Sequence, residues 1–193
     1  MINVIMRRVI GAVALGVVGL LAGPLSGATS VVGATPTASA ATCSVSWGSL
    51  TKTDPTMVSN QITNVRSGRH TCYDRLVIDL AGPAVGYRVR YVTNVTSPGS
   101  GAVVPLRGGA KLMIVVNATT YDDNGHETYR PANRRELANV TGYRTFRQVA
   151  LGGSFEGRTT IGLGVRARLP MRVLVLAGPG GGSRLVIDVA HTW

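Results

Sequence analysis

Arginine is the residue through which this chain could do chemistry. All but two of its 20 basic residues are arginine, Lys52 and Lys111 being the exceptions, against nine acids and three histidines. Arg88 and Arg90 stand two residues apart, as do Arg166 and Arg168, and Arg172 follows closely. Side chains two apart point the same way on an extended strand, so each pair shares a face. A guanidinium grips a carboxylate or phosphate through two parallel hydrogen bonds. These five arginines are therefore the candidate ligand-binding residues, and the ligand they suit is an anion.

Catalytic constellations are harder to assemble. Zinc hydrolysis needs three His, Asp or Glu ligands converging on an open metal position, usually with a local H-x-x-x-H spacing. His70, His126 and His191 lack that spacing, and His126-Glu127 reads as a solvated pair beside a tight turn. No metal and no cofactor are expected. The run Gly152-Gly153-Ser154-Phe155-Glu156-Gly157 approaches G-x-S-x-G, but Glu156 replaces the second glycine and no strand-elbow-helix context surrounds it. Gly178-Pro179-Gly180-Gly181-Gly182-Ser183 lacks the lysine and the helix of a phosphate loop. Asp122, Asp123, Glu127 and Glu156 could converge in space as the carboxylate pair of a glycoside hydrolase. A polymer hydrolase is thus the alternative reading, and a protein that is not an enzyme the expected one.

The N-terminus bears on where any of this chemistry happens. Arg7-Arg8 precede an uncharged run from Val9 to Ala22, and small residues lead to Ala38-Ser39-Ala40. This is the order of a secretory signal peptide, residues 1–40, with cleavage after Ala40. The alternative is an uncleaved anchor, but the run is interrupted by glycines and broken at Pro24, short of the roughly 20 residues a spanning helix needs. Removal of Arg7 and Arg8 with the signal lowers the formal charge from +11 to +9. Such basicity favours polymer carboxylates, phosphates or acidic lipid surfaces as partners; nucleic acid fits the charge but not the export. In an exported chain Cys43 and Cys72, 29 residues apart, read as one disulfide. Closing that loop contributes on the order of 3 kcal/mol and fastens the start of the mature chain, residues 41–193, which suits a single domain.

The elements that must position these residues are short and extended. Arg75-Leu76-Val77-Ile78-Asp79-Leu80 and Arg184-Leu185-Val186-Ile187-Asp188-Val189 share five identical residues, with Gly82-Pro83 after the first and Gly178-Pro179 before the second. At a two-residue period Leu76, Ile78 and Leu80, and Leu185, Ile187 and Val189, form two aliphatic faces that one core can share. Arg75, Asp79, Arg184 and Asp188 lie on the opposite faces as structural charges. If the copies are antiparallel neighbours, Arg75 faces Asp188 and Asp79 faces Arg184. Elsewhere, strands are predicted at Cys43–Leu50, Val58–Arg69, Gly86–Val92, Ala110–Ala118, Tyr143–Leu151, Thr159–Arg168 and Arg172–Leu176, with turns at 51–55 and 122–125. Leu112 to Val116 reads as a strand buried on both faces. One short helix is allowed at Pro131–Ala138. The expectation is an all-β fold, a sandwich or barrel.

The repeat, together with Pro170-Met171-Arg172-Val173-Leu174-Val175-Leu176 ahead of its second copy, resembles the AMIN domain, whose pattern sets a basic-aliphatic strand before R-L-V-[IV]-D-[LV]. The mature part as a whole is similar to the AMIN-like domain of exported actinobacterial proteins. There Cys72-Tyr73-Asp74-Arg75-Leu76, Tyr87-Arg88-Val89-Arg90-Tyr91-Val92, Val104-Pro105-Leu106-Arg107-Gly108-Gly109 and Ser154-Phe155-Glu156-Gly157 recur. The resemblance implies a β-sandwich of two similar halves. AMIN modules localise amidases and secretin-type proteins to the envelope by binding peptidoglycan, so it also implies a secreted, non-catalytic cell-envelope module. With no amidase following the second repeat, binding in its own right is the expectation. The partner is then an anionic wall polymer or, alternatively, another exported protein.

Overall fold

The computed structural model describes residues 43–193, and the expected signal peptide lies outside the described residues. In chain order the strands are β1 (Lys52–Asp54), β2 (Ile62–Arg69), β3 (Tyr73–Leu80), β4 (Tyr87–Val92), β5 (Val95–Thr96), β6 (Val103–Val104), β7 (Ala110–Val116), β8 (Phe146–Phe155), β9 (Arg158–Val165), β10 (Met171–Ala177) and β11 (Ser183–Ala190). One sheet has the order β1-β4-β7-β9-β8, a second β10-β11-β3-β2, and β5 and β6 form a small hairpin. The fold is all-β, a sandwich of two antiparallel sheets whose inward side chains form one core.

Alternation explains which faces meet. Val89 of β4, Leu112, Ile114 and Val116 of β7, and Ile161, Leu163 and Val165 of β9 are fully buried, and they oppose Leu76, Ile78, Leu185 and Ile187 of the other sheet. The segment from Leu112 to Val116 departs from its expected double burial. Met113 and Val115 are only partly buried, on the outer face, so this strand is covered on one side alone.

The repeat is the centre of the four-stranded sheet. β3 and β11 pair antiparallel with Arg75 opposite Asp188, Leu76 opposite Ile187, Val77 opposite Val186, Ile78 opposite Leu185 and Asp79 opposite Arg184. This register is a local two-fold through the Val77/Val186 pair. All six inward aliphatics of the two copies are at most 4% exposed. Of the two expected ion pairs one forms: Arg75 Nε lies 2.7 Å from Asp188 Oδ1. The other does not, because Arg66 of β2 takes Asp79 at 2.8 Å.

Several expected elements differ. Residues 43–50 form no strand, and Lys52–Asp54, expected as a turn, instead pairs with the edge of β4. No helix forms at Pro131–Ala138. The Leu137 amide donates to Val149 and the Leu151 amide to Arg134, so the backbone there is spent on the β8 edge; the Asn133 side chain closes a local turn on Arg135. β9 ends at Val165 and residues 166–168 form a bend, although the Arg166 amide still donates to the Thr145 carbonyl opposite it. Gly152–Gly157 is the β8–β9 hairpin with Glu156 at φ 49° in its turn, not a nucleophile elbow.

The disulfide joins Cys43 to Cys72 with a Cα–Cα separation of 5.1 Å, and fastens the chain ahead of β1 to the start of β3.

The segment running through β5 and β6 to Gly109 is a cover over the outer face of β9 and β8. A side chain at Gly162 would come within 2.7 Å of Leu106, and one at Gly164 would collide with the Arg107 carbonyl oxygen. The Arg107 amide is held by Gln148 Oε1 at 2.8 Å. Absence of side chains at these two glycines is what lets the cover sit down. Gly164→Ala is expected to cost about 1–3 kcal/mol, as overpacking of a closed contact does. A denaturation midpoint matching the wild type would show that the cover yields without loss.

Candidate functional site

Because the cover closes only the β8 and β9 side, the outer face of β4 and β7 stays open. There the strand register sets Arg88 beside Val115, Arg90 beside Met113, and Val92 beside Lys111. A groove of about 980 Å³ runs along this face, lined by Arg90, Thr93, Asn94, Lys111, Met113 and Arg168 among others. A second depression of about 470 Å³ adjoins it, lined by Thr53, Asp54, Arg88, Val115 and Arg158. Arg90 and Met113 line both, so the two depressions are neighbours across β4 and β7, together a trough with Arg90 and Met113 between its halves.

Five cations line the trough: Arg88, Arg90, Lys111, Arg158 and Arg168. The one carboxylate in its walls, Asp54, is already engaged by the Thr56 amide at 2.9 Å and hydroxyl at 2.6 Å. Those bonds, the hydroxyl's foremost, hold its carboxyl below the usual carboxylate range. Among the described residues none of the five cations forms an ion pair; the arginines that do are Arg66, Arg75, Arg107, Arg130 and Arg172. Lys111 Nζ rests on the Thr93 carbonyl at 3.2 Å and Asn94 Oδ1 at 3.3 Å. Arg168 is fixed more firmly, donating to the Ser49 hydroxyl and carbonyl and lying 5.3 Å from the Tyr91 ring centroid. Tyr91 is itself pinned by a bond from its hydroxyl to the Leu169 carbonyl, and burial raises its pKa above the usual phenol value. Arg90 is the unbalanced member, because its Nε is enclosed and has no hydrogen-bond partner. A buried N–H without an acceptor is rare; with Nε enclosed, the terminal nitrogens of Arg90 are what it can offer a ligand in the groove.

Three of the five arginines singled out from spacing thus come together: Arg88, Arg90 and Arg168. The other two are employed elsewhere. Arg166 donates to the His191 carbonyl at 2.6 Å and holds the C-terminal segment. Arg172 lies on the opposite sheet, 2.8 Å from Asp188 and 4.3 Å from the Trp47 ring centroid. Lys111 and Arg158 join the trough without having been singled out. For Lys111 the signal was present: it alternates with Leu112 and lies in phase with Met113 and Val115.

Of the four carboxylates of the hydrolase reading, Asp122 and Glu127 are engaged within their own turns. Asp122 accepts from the His126 amide at 2.8 Å and the Asn124 amide at 2.9 Å, which keeps its carboxyl below the usual range, the His126 amide contributing most. Glu127 lies 3.5 Å from Arg130. Among the described residues no three His, Cys, Asp or Glu side chains form a metal-holding group.

The family model described as the AMIN-like domain matches residues 60–191 of this chain. The match runs from just before β2 to His191 and takes in both copies of the repeat together with the Arg88 and Arg90 strand. No curated protein matches the chain.

Proposed function

Because the chain belongs to the AMIN-like domain family, a family of cell-wall-associated modules, we propose that it is a secreted, non-catalytic binder of an anionic wall polymer, peptidoglycan foremost. The polymer lies in the trough of Arg88, Arg90, Lys111, Arg158 and Arg168. The observation that carries this reading is the charge balance of the trough: five cations without an ion pair among the described residues, against one carboxylate already bonded to Thr56. Stem-peptide carboxylates suit such a surface, since each meets a guanidinium in bidentate geometry. Among the described residues no helix is long and apolar enough to cross a membrane.

Purified mature protein is expected to pellet with isolated wall material at low salt and to be released as salt rises, because exposed charge pairs are screened over about 10 Å at 0.1 M. Arg90→Ala is expected to weaken retention about tenfold, the worth of one charge-assisted hydrogen bond. Retention that ignores both salt and Arg90 would overturn the reading. Release of soluble fragments abolished by substitution of Asp122 or Glu156 would replace it with the hydrolase. Capture of one exported protein by crosslinking in the native envelope, with no retention on bare wall, would make the module a protein binder.

A further inference from the structure

We propose that the domain carries a second oxyanion site, for a carboxylate or phosphate group, centred on Arg184 on the outer face of the four-stranded sheet. It lies on the sheet opposite the trough and shares no residue with it.

The repeat gives two Arg–Asp–Arg sets that are only partly alike. Asp188 of β11 stands opposite Arg75 of β3 and Arg172 of β10; Asp79 of β3 stands opposite Arg184 of β11 and Asn64 of β2, and Arg66, opposite Val77, reaches it diagonally. The first set is closed. Asp188 has no exposed side chain and accepts from Arg75 at 2.7 and 2.9 Å and from Arg172 at 2.8 Å. The second is half open. Arg66 occupies both oxygens of Asp79, at 2.8 and 3.0 Å, and among the described residues Arg184 forms no ion pair. Its Nε is nonetheless enclosed, with no partner. The sequence motif supplies an arginine for which the fold supplies no acceptor.

Space for an acceptor is present beside it. A depression of about 540 Å³ is lined by Arg184, Arg66, Asp79, Thr63, Asn64 and Ser183. Two guanidinium groups against one carboxylate leave it one positive charge in excess. Asn64 adds a donor: its side-chain oxygen is used by the Val65 amide at 2.9 Å, and an amide whose oxygen accepts in this way turns its NH₂ to other acceptors. A ligand oxygen in this depression meets the Arg184 guanidinium through its terminal nitrogens, Nε being enclosed, and completes the second set as Asp188 completes the first. With an anion held here and another in the trough, one domain joins two anionic segments across the thickness of the sandwich.

The experiment follows the arginine Nε–H signals of ¹⁵N-labelled mature protein during titration with sodium acetate and, separately, with methyl phosphate, at constant ionic strength. The Arg184 signal is assigned by its loss in Arg184→Lys. It is expected to shift saturably with at least one probe, and the probe that binds more tightly identifies the group as carboxylate or phosphate. Asn64→Ala is expected to weaken that binding about threefold. Asp79→Asn removes the competing carboxylate and is expected to tighten it about tenfold. An Arg184 signal that shifts with neither probe, or only linearly, overturns the site, as does tightening that is absent in Asp79→Asn. Should Arg184→Lys fail to fold, the Asn64 and Asp79 variants decide alone. The trough is read separately by wall pelleting in the Arg90 variant, so failure of either site leaves the other standing.

Discussion

Replacing Arg75 and Arg172 together by alanine is expected to destabilise the domain by about 3–5 kcal/mol, because it strands a buried charge. Asp188 is fully enclosed, and its two oxygens are served by these two guanidinium groups. Arg75 in turn is held protonated above its already high ordinary value, chiefly by the Asp188 hydrogen bond. Each single substitution leaves the carboxylate one partner and is expected to cost about 1–1.5 kcal/mol, the net worth of one hydrogen bond. Arg172→Ala also uncovers Trp47 and Tyr73, whose rings it overlies. Urea denaturation should therefore show a double variant less stable than the sum of the singles, a coupling expected when two residues share one acceptor. The decisive variant adds Asp188→Asn to the double: neutralising the stranded group is expected to restore part of the loss. No restoration would mean that the arginines act through packing of their stems, not through charge.

The repeat is readable in the sequence because its two signals agree. The two-residue period put six aliphatics on one face, and an arginine and an aspartate at opposite ends of each copy are satisfied across copies only by antiparallel pairing. The sequence stops short at Asp79, because which arginine holds it depends on a third strand. The register of β2 is set by an irregularity between Ile62 and Asn64, and nothing local announces where Arg66 will land. Arg166 and Arg168 illustrate a different limit. Their alternation continues smoothly past Val165 on paper, yet the backbone bends over residues 166–168 and the strand stops there. The trough was half legible, through Arg88 and Arg90. Its outline was not, since it is drawn by a cover whose seat is the missing side chains of Gly162 and Gly164. Glycines in the middle of a strand were the sign of that close approach.

Asp74→Ala is expected to cost a further large share of stability, about 3–5 kcal/mol, for a reason the strand pattern contains. Asp74 is in phase with Leu76, Ile78 and Leu80, so its carboxylate points to the core side of β3, where it is fully buried. A charge there persists only if it is well bonded. Its Oδ2 accepts the Thr145 amide at 2.6 Å and the Phe146 amide at 3.0 Å, and its Oδ1 lies 3.1 Å from His191 Nε2. The other ring nitrogen of His191 faces the Thr71 carbonyl at 3.2 Å. One side chain thus ties the start of β3 to the entry of β8 and to the segment that follows β11, three places far apart in the chain. Alanine would orphan two enclosed amides, each worth about 1–3 kcal/mol, along with a buried imidazole. Asp74→Asn keeps an oxygen for the amides and loses only the charge, so it is expected to fall between alanine and the wild type. Hydrogen exchange locates the effect: the Thr145 and Phe146 amides should exchange freely in Asp74→Ala and remain protected in Asp74→Asn. Continued protection of both amides in the alanine variant would mean that β8 is held in place by its ladder with β9, and that Asp74 is dispensable to the join.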